Sequence, residues 1–387
     1  MVLKLTLLPD LLKPKVTKIK YLPMKDDLNQ LVKKLIGVNY NTTKAKVSIG
    51  FDGYTDLIQK VVLSNNGSNV NYYSSLEDIG RHIMATAGKS AQLELVTSIT
   101  KAGGNAPIMA NAMGALGVSN YCFGTMGVPE IHPVFKEMNS NCTLLSFGSP
   151  AQTNALEFDD GKLILSEVST FENITLKKII KEKGEGYFKE PFLQSEMIAM
   201  VDWCNMPACT TLWKEIHEFI LKHQIKPSLF FFDIADPSKK SATEIKEVLQ
   251  VISLFSNVGS TIFGMNENEV VKVYHALTGN DTPPASLEVA AQFIFDKMDV
   301  HKLLVHPTSY SFLVSKTGII KREGKLIKFP KLLTGGGDNL NAGFCFGLLN
   351  GFTDEECLLI GMATSGAYVQ NGYSPDIDEL IAFLETE

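Results

Sequence analysis

The chain has 387 residues, 45% hydrophobic and 20% charged, with a mean hydropathy of +0.06, a composition that suits one large α/β domain with an appendage, or two domains. Its 36 lysines and arginines against 42 aspartates and glutamates give a net charge of −6, so no global basic field exists to attract nucleic acid or an anionic membrane. Six cysteines without CxxC spacing indicate neither a zinc site nor a disulfide framework, and no run approaches the ~18 apolar residues of a spanning helix. A cytoplasmic protein with reduced thiols is the expectation.

The apolar patch in Met1–Lys15 is too short for a secretory core and is broken by Pro9, Asp10 and Pro14. Residues 1–45 read as a lysine-rich N-terminal extension, with a helix near Leu28–Ile36 and a polar turn at Asn39–Thr43. From Lys46 to the end, short apolar runs alternate with helical periods, the pattern of βαβ units and a largely parallel sheet. Strands are predicted at Lys46–Phe51, Asn120–Gly124, Met197–Asp202, Ser228–Asp233, Ser260–Gly264 and Lys302–Val305. Helices are predicted at Ala106–Leu116, Thr211–Lys222, Ala242–Leu254, Leu287–Lys297, Asp338–Leu349 and Asp354–Val369. Two stretches break the rhythm. Residues 57–102 have strand-like ends around a helical middle at Leu76–Thr86, and 154–168 read as a hairpin turning at Asp159, Asp160 and Gly161. The expected fold is therefore α/β: a doubly wound, mostly parallel sheet flanked by helices, with a small β-sheet lid built from these two stretches.

Four short constellations carry chemistry, taken in chain order. In SIGFDGYTDLI a strand ends at Phe51 and presents Asp52 and Asp56 around Gly53. Carboxylates so placed suit vicinal hydroxyls at the carboxyl end of a sheet; solvated turn acids are the alternative. In KAGGNAPIMANAMG, Gly103 and Gly104 let a ligand approach the backbone and Asn105 offers an amide; taken alone, such a segment is more often a tight strand–helix turn. In FGMNENEV, Asn266 and Glu269 follow a strand, and oxygen ligands three apart can hold Mg²⁺ through its waters; otherwise they start a surface helix. In LLTGGGDNLNAGF, Gly335, Gly336 and Gly337 can turn successive amides toward one point, and the helix beginning at Asp338 adds its dipole. A carboxylate beside such an anion nest makes sense as a base that takes a proton from an attacking hydroxyl. An ordinary N-cap is the alternative.

The order of these pieces resembles the ribokinase-like (PfkB-type) carbohydrate kinases over roughly 46–375: an acidic strand end, a GG-N-A helix, a lid hairpin, N-x-x-E, then a glycine–Asp helix. The family's D-T-x-G-A-G-D signature is matched by Leu332–Asp338. The resemblance implies that Asp338 is the base and that Gly335–Gly337 form the anion hole. It puts Asn266 and Glu269 on the magnesium and phosphate motif, and Asp52, Asp56, Gly104 and Asn105 on sugar-binding positions. A nucleotide, ATP or alternatively ADP, is expected near Gly335–Gly337 and Thr308, with Mg²⁺. The acceptor is a small-molecule sugar or nucleoside, and the lid is expected to pair subunits in a homodimer. This chain departs from the family twice: Leu332-Leu333 replaces Asp-Thr, and His306-Pro307-Thr308 replaces the T-x-G turn that lines the nucleotide. Those departures keep open a degenerate sugar- or nucleotide-binding member. An oxidoreductase is disfavoured because no G-x-G-x-x-G follows a first strand.

Overall fold

A computed structural model of the chain describes residues 19–21, 25–38, 46–325, 327–328, 330–332 and 334–386. The patch in Met1–Lys15, the turn at Asn39–Thr43 and Leu333 of the glycine motif lie outside the described residues.

The strands in chain order are β1 Ile19–Tyr21, β2 Lys46–Gly50, β3 Tyr54–Asn65, β4 Val70–Tyr72, β5 Leu95–Gly103, β6 Asn120–Gly124, β7 Cys142–Ser146 and β8 Ala151–Phe158. They continue with β9 Gly161–Glu167, β10 Ser195–Met200, β11 Leu229–Asp233, β12 Ser260–Met265, β13 Lys302–Val305, β14 Tyr310–Ser315 and β15 Gly318–Glu323. The helices are α1 Lys25–Gly37, α2 Leu76–Ala85, α3 Asn105–Ala115, α4 Leu176–Lys183, α5 Gly186–Gln194 and α6 Cys209–His223. The remaining six are α7 Ala242–Leu254, α8 Glu267–Thr278, α9 Leu287–Lys297, α10 Gly336–Leu349, α11 Asp354–Asn371 and α12 Ile377–Glu385.

Ten strands form the main sheet in the order β1-β15-β14-β13-β12-β11-β10-β2-β6-β7. Every pairing in it is parallel except β13 with β14 and β14 with β15. Its central strands read as near-continuous apolar runs because both faces are covered. On β11, Phe230 and Phe232 enter one core with Trp213, Val248 and Val270, while Phe231 enters the other with Met109, Phe344 and Ile360. The two-residue period of a strand thus feeds two cores from one sheet. The chain order reverses about β2, which has β10 on one side and β6 on the other. A crevice opens at such a switch point, outside the carboxyl ends of the strands.

The second sheet is built from β3, β4, β5, β8 and β9. It contains both stretches that broke the sequence rhythm, with the β8–β9 hairpin turning between Phe158 and Gly161. A cleft of about 270 Å³ separates it from Pro330, Lys331 and Leu332, the segment that leads into the glycine turn. The N-terminal elements pack onto the main body. There β1 pairs with β15, and α1 buries Leu28, Leu31, Val32 and Leu35 in the core that holds Leu380 and Phe383. Lys34 also pairs with Glu356 at 2.5 Å.

Candidate active site

Five adjacent parallel strands each deliver a polar residue at the carboxyl end, on one edge of the sheet. In spatial order these are Asp52 after β2, Asp202 after β10, Asp233 closing β11, Asn266 after β12 with Glu269 one turn on, and His306 after β13. The start of α10, with Asp338 in its first turn, interacts electrostatically with the acids of this row.

Asp52 is fully buried, and its two oxygens accept from the backbone amides of Asn105 (2.7 Å) and Ala106 (2.8 Å). It satisfies the first turn of α3, whose own N-cap, Gly104, has φ 101° and no side chain to offer. A Cβ at Gly104 would stand 2.5 Å from Asp52 Oδ2, so glycine is required there. Burial pushes the Asp52 carboxyl up to about 7 against the pull of its hydrogen bonds. Asp202, also fully buried, hydrogen-bonds to Asp52 and accepts from Asn205 Nδ2 (2.6 Å) and Tyr54 Oη (3.3 Å). Its backbone lies at φ 56°, an uncommon conformation for a residue other than glycine, and one that clusters at functional sites. Desolvation and the neighbouring Asp52 hold its carboxyl well above the usual range.

Asp56, on β3, is buried close to Gly103. Burial raises its pKa, and Lys101, a hydrogen bond from Thr153 and Lys162 oppose that rise. Asp233 accepts from Ala235 N (2.8 Å) and from Asn341 Nδ2 of α10 (2.9 Å), which ties α10 to the sheet edge.

The sequence pair Asn266 and Glu269 forms a capping box on α8. Glu269 Oε2 accepts from Asn266 N (2.9 Å), Oε1 from Asn266 Nδ2 (2.6 Å), and Asn266 Oδ1 accepts from Glu269 N (3.0 Å). A surface capping glutamate would be solvated, but Glu269 is 3% exposed, and burial followed by the charge of Asp233 holds its pKa well above normal. Among the described residues no three His, Cys, Asp or Glu side chains converge to hold an ion directly. The two neighbouring buried acids Asp233 and Glu269, whose charged forms burial disfavours, suit a cation that keeps its own waters and favours their ionised forms.

At α10, Gly335 takes φ 94°, and a Cβ on it would meet Tyr368 Oη at 2.7 Å and Ile108 of α3 at 3.3 Å. Tyr368 Oη donates to Thr334 O (2.8 Å) and fixes the turn. No side chain caps this helix. The amide of Asn339 bonds back to Gly335 O (3.1 Å), and the preceding amides of the first turn have no intrahelical acceptor by helix geometry. Asp338 is 9% exposed. Burial raises its pKa well above the usual carboxylate range, Asp233, Asp52 and Asp202 add to this, and a hydrogen bond with the Asn105 side chain works against it.

The geometry therefore brings Asn105, Asp338 and the turn Gly335–Gly337 together, with Asp52 beneath them. Thr308 stands apart, exposed on the loop after β13. From that loop it is His306 whose ring reaches the turn, 3.3 Å from the Cβ position of Gly337. Sequence reasoning missed Asp202 and His306 as site residues. The signal for Asp202 was its place at a strand end, the feature that singled out Asp52; for His306 it was the departure from T-x-G.

The family model for prokaryotic ketohexokinase matches residues 33–386 of this chain. The ketohexokinase of Haloferax volcanii is 25% identical over 342 residues, covering 87% of this chain and 90% of that protein. Among solved structures, the chain is similar to Arabidopsis thaliana ribokinase complexed with ribose and ATP, with TM-score 0.61 and 16% identity over 88% of this chain and 98% of that one. It is also similar to the adenosine kinase of Sinorhizobium meliloti, with TM-score 0.63 and 16% identity over 88% and 98% of the two chains. At these identities the structural likenesses establish the ribokinase fold.

Proposed function

Since the chain belongs to the prokaryotic ketohexokinase family and is a sugar kinase, we propose that its acceptor is a ketohexose, its donor ATP with Mg²⁺, and its base Asp338. The observation that carries the reading is the meeting of Asn105 and Asp338 beside a helix start that no side chain caps.

In this reading Asp56 and Asn105 hold sugar hydroxyls while Asp338 Oδ accepts the hydrogen bond of the hydroxyl that reacts. As its oxygen bonds to the γ-phosphorus and the bond to the departing ADP breaks, the proton passes to the Asp338 carboxylate. The amides of Gly336 and Gly337 and the dipole of α10 face the charge that develops on the phosphoryl oxygens. Asp52 and Gly104 act by fixing the start of α3, and so the side chain of Asn105. The second sheet, across its cleft from residues 330–332, excludes water as a competing acceptor.

Glu269 and Asp233 would hold Mg²⁺ through its waters. When bound with the nucleotide, the ion supplies countercharge to the phosphates and to the desolvated acids. Asp338, whose proton is retained in the empty protein by burial and by three neighbouring acids, must lose it to act as base, so turnover rises with pH through its working pKa. The test is ADP release from ATP and Mg²⁺ with a panel of ketohexoses, aldoses and nucleosides. Ketohexose-dependent release is expected; turnover with nucleosides only, or with ADP as the sole donor, overturns the assignment.

A further inference from the structure

The turn before α10 is held from behind by the end of α11. The amides of Lys331 and Leu332 donate to Val369 O (2.9 and 3.4 Å), and two residues on, Tyr368 Oη donates to Thr334 O (2.8 Å). The phenol is 5% exposed, and burial, followed by the charges of Asp338 and Asp56, raises its pKa, so it keeps its proton. That single proton is committed to Thr334 O, so Tyr368 has none to donate to a substrate. A trans peptide holds its C=O and N–H antiparallel. With Thr334 O turned to Tyr368, the amide of Gly335 in the same peptide points to the opposite side, where it has no hydrogen-bond partner among the described residues. The next peptide is fixed in the same way. Gly335 O accepts from Asn339 N (3.1 Å) and Asn339 Nδ2 (2.9 Å), which turns the amide of Gly336 outward. Two successive carbonyls are tied while their amides stand open, at a glycine whose φ of 94° leads directly into a helix, a conformation of the kind that makes an anion nest.

We infer that Tyr368 is a positioning residue, a latch that holds the Thr334–Gly335 peptide so that the Gly335 amide joins those of Gly336 and Gly337 on the transferred phosphoryl group. This rests on the reading of the glycine turn as the phosphoryl site. The need for a latch follows from the glycine itself. Without a Cβ to bias its φ, Gly335 lets the peptide before it rotate, which would swing Thr334 O into the nest, where a carbonyl repels phosphoryl oxygens. A Cβ at 335 would stand 2.7 Å from Tyr368 Oη, so the hydroxyl and a side chain at 335 exclude each other. The choice of backbone conformation thus passes from residue 335 to residue 368.

The test is Tyr368→Phe, which keeps the ring and deletes the hydroxyl. It is read on the full chain by steady-state kinetics, and by the ¹⁵N-labelled glycine amides during titration with a non-hydrolysable ATP analogue and Mg²⁺. In the parent, the Gly335 amide should shift together with those of Gly336 and Gly337 as the analogue saturates. In Tyr368→Phe one neutral hydrogen bond is lost from the turn, so kcat/KM for ATP should fall about 2- to 12-fold. Ketohexose affinity, by isothermal titration, should stay within about two-fold. Before nucleotide is added, the Gly335 resonance of the variant should shift, broaden or double, the mark of a second peptide orientation. A hydroxyl that only supports the fold would lower thermal stability and leave the ATP kinetics alone. Parent-like ATP kinetics, a Gly335 resonance at its parent position, or an equal loss of sugar affinity each overturn the inference. Should Tyr368→Phe not fold, the parent decides: Gly335 unmoved while Gly336 and Gly337 shift overturns it. An analogue that leaves all three amides unmoved defeats the reading of the turn as the phosphoryl site, and this inference with it.

Discussion

Two helices begin almost side by side at the sheet edge, each after a glycine at positive φ, and the protein treats them in opposite ways. The start of α3 is filled from within, because both Asp52 oxygens occupy its first amides. The start of α10 has no side-chain cap, and its own acid turns away to Asn105 instead of closing it. A helix start is an anion site in either case. What differs is whether the anion is part of the chain. Internal closure makes α3 a rigid support for Asn105, and in the proposed mechanism the open start leaves α10 to a phosphoryl group.

The largest break in that comparison should come from Asp338→Asn. The amide keeps the shape but accepts no proton, so kcat should fall about 10²–10⁴-fold. Thermal stability should hold or rise, since the change removes a desolvated acid from beside Asp233, Asp52 and Asp202. Steady-state kinetics and calorimetry on one variant decide it, and parent-like turnover would reduce Asp338 to an ordinary first-turn residue. Asp52→Ala should do the reverse at the other helix. It strands the buried amide of Ala106 and the part-buried amide of Asn105, at a cost of about 1–3 kcal/mol for the first, visible as an earlier urea midpoint; an unchanged midpoint would mean that α3 does not depend on internal closure.

A smaller effect follows from the burial of Asp52. The folded-state pKa of Asp52 is raised to about 7 from an ordinary 3.8, so the folded protein holds more protons than the unfolded chain between those values. The ligand-free protein should therefore lose stability as pH rises from about 4 to 7. Asp52→Asn removes the group that burial raises and should flatten that slope; an identical slope in the variant would show that Asp52 is not its source.

Much of this was legible in the sequence, and the exceptions have physical reasons. The strands β6 and β13 and the helices α7 and α9 fall on their predicted residues because apolar period and capping residues agree there. The helix α5 escaped notice because Pro191 sits inside it, and α4 because only Leu176 and Ile179 of its eight residues are buried. The hairpin β14–β15, which makes one end of the sheet antiparallel, lacks the helix that a parallel crossover would place before each strand. At the site, GG-N reads as a turn open to a ligand's hydroxyls and GGG-D as an anion nest. Only the fold shows that Asp52, more than fifty residues upstream, reaches the first and leaves the second open. Likewise the N-x-x-E pair could be read as ligands or as the start of a surface helix; the structure makes it a capping box at a helix start, and its burial sets it apart from a surface cap.

The central claim is that α10 receives the phosphates while α3 is already closed, and the most direct measurement watches both helix starts at once. Backbone amide resonances of Gly335–Gly337 and of Asn105 and Ala106 would be followed in selectively ¹⁵N-labelled protein during titration with a non-hydrolysable ATP analogue and Mg²⁺, without sugar. The account predicts shifts at Gly336 and Gly337 that saturate with nucleotide, and amides of Asn105 and Ala106 that stay on Asp52. Nucleotide binding with the α10 glycines unmoved, or with Asn105 and Ala106 moving in their place, would contradict it.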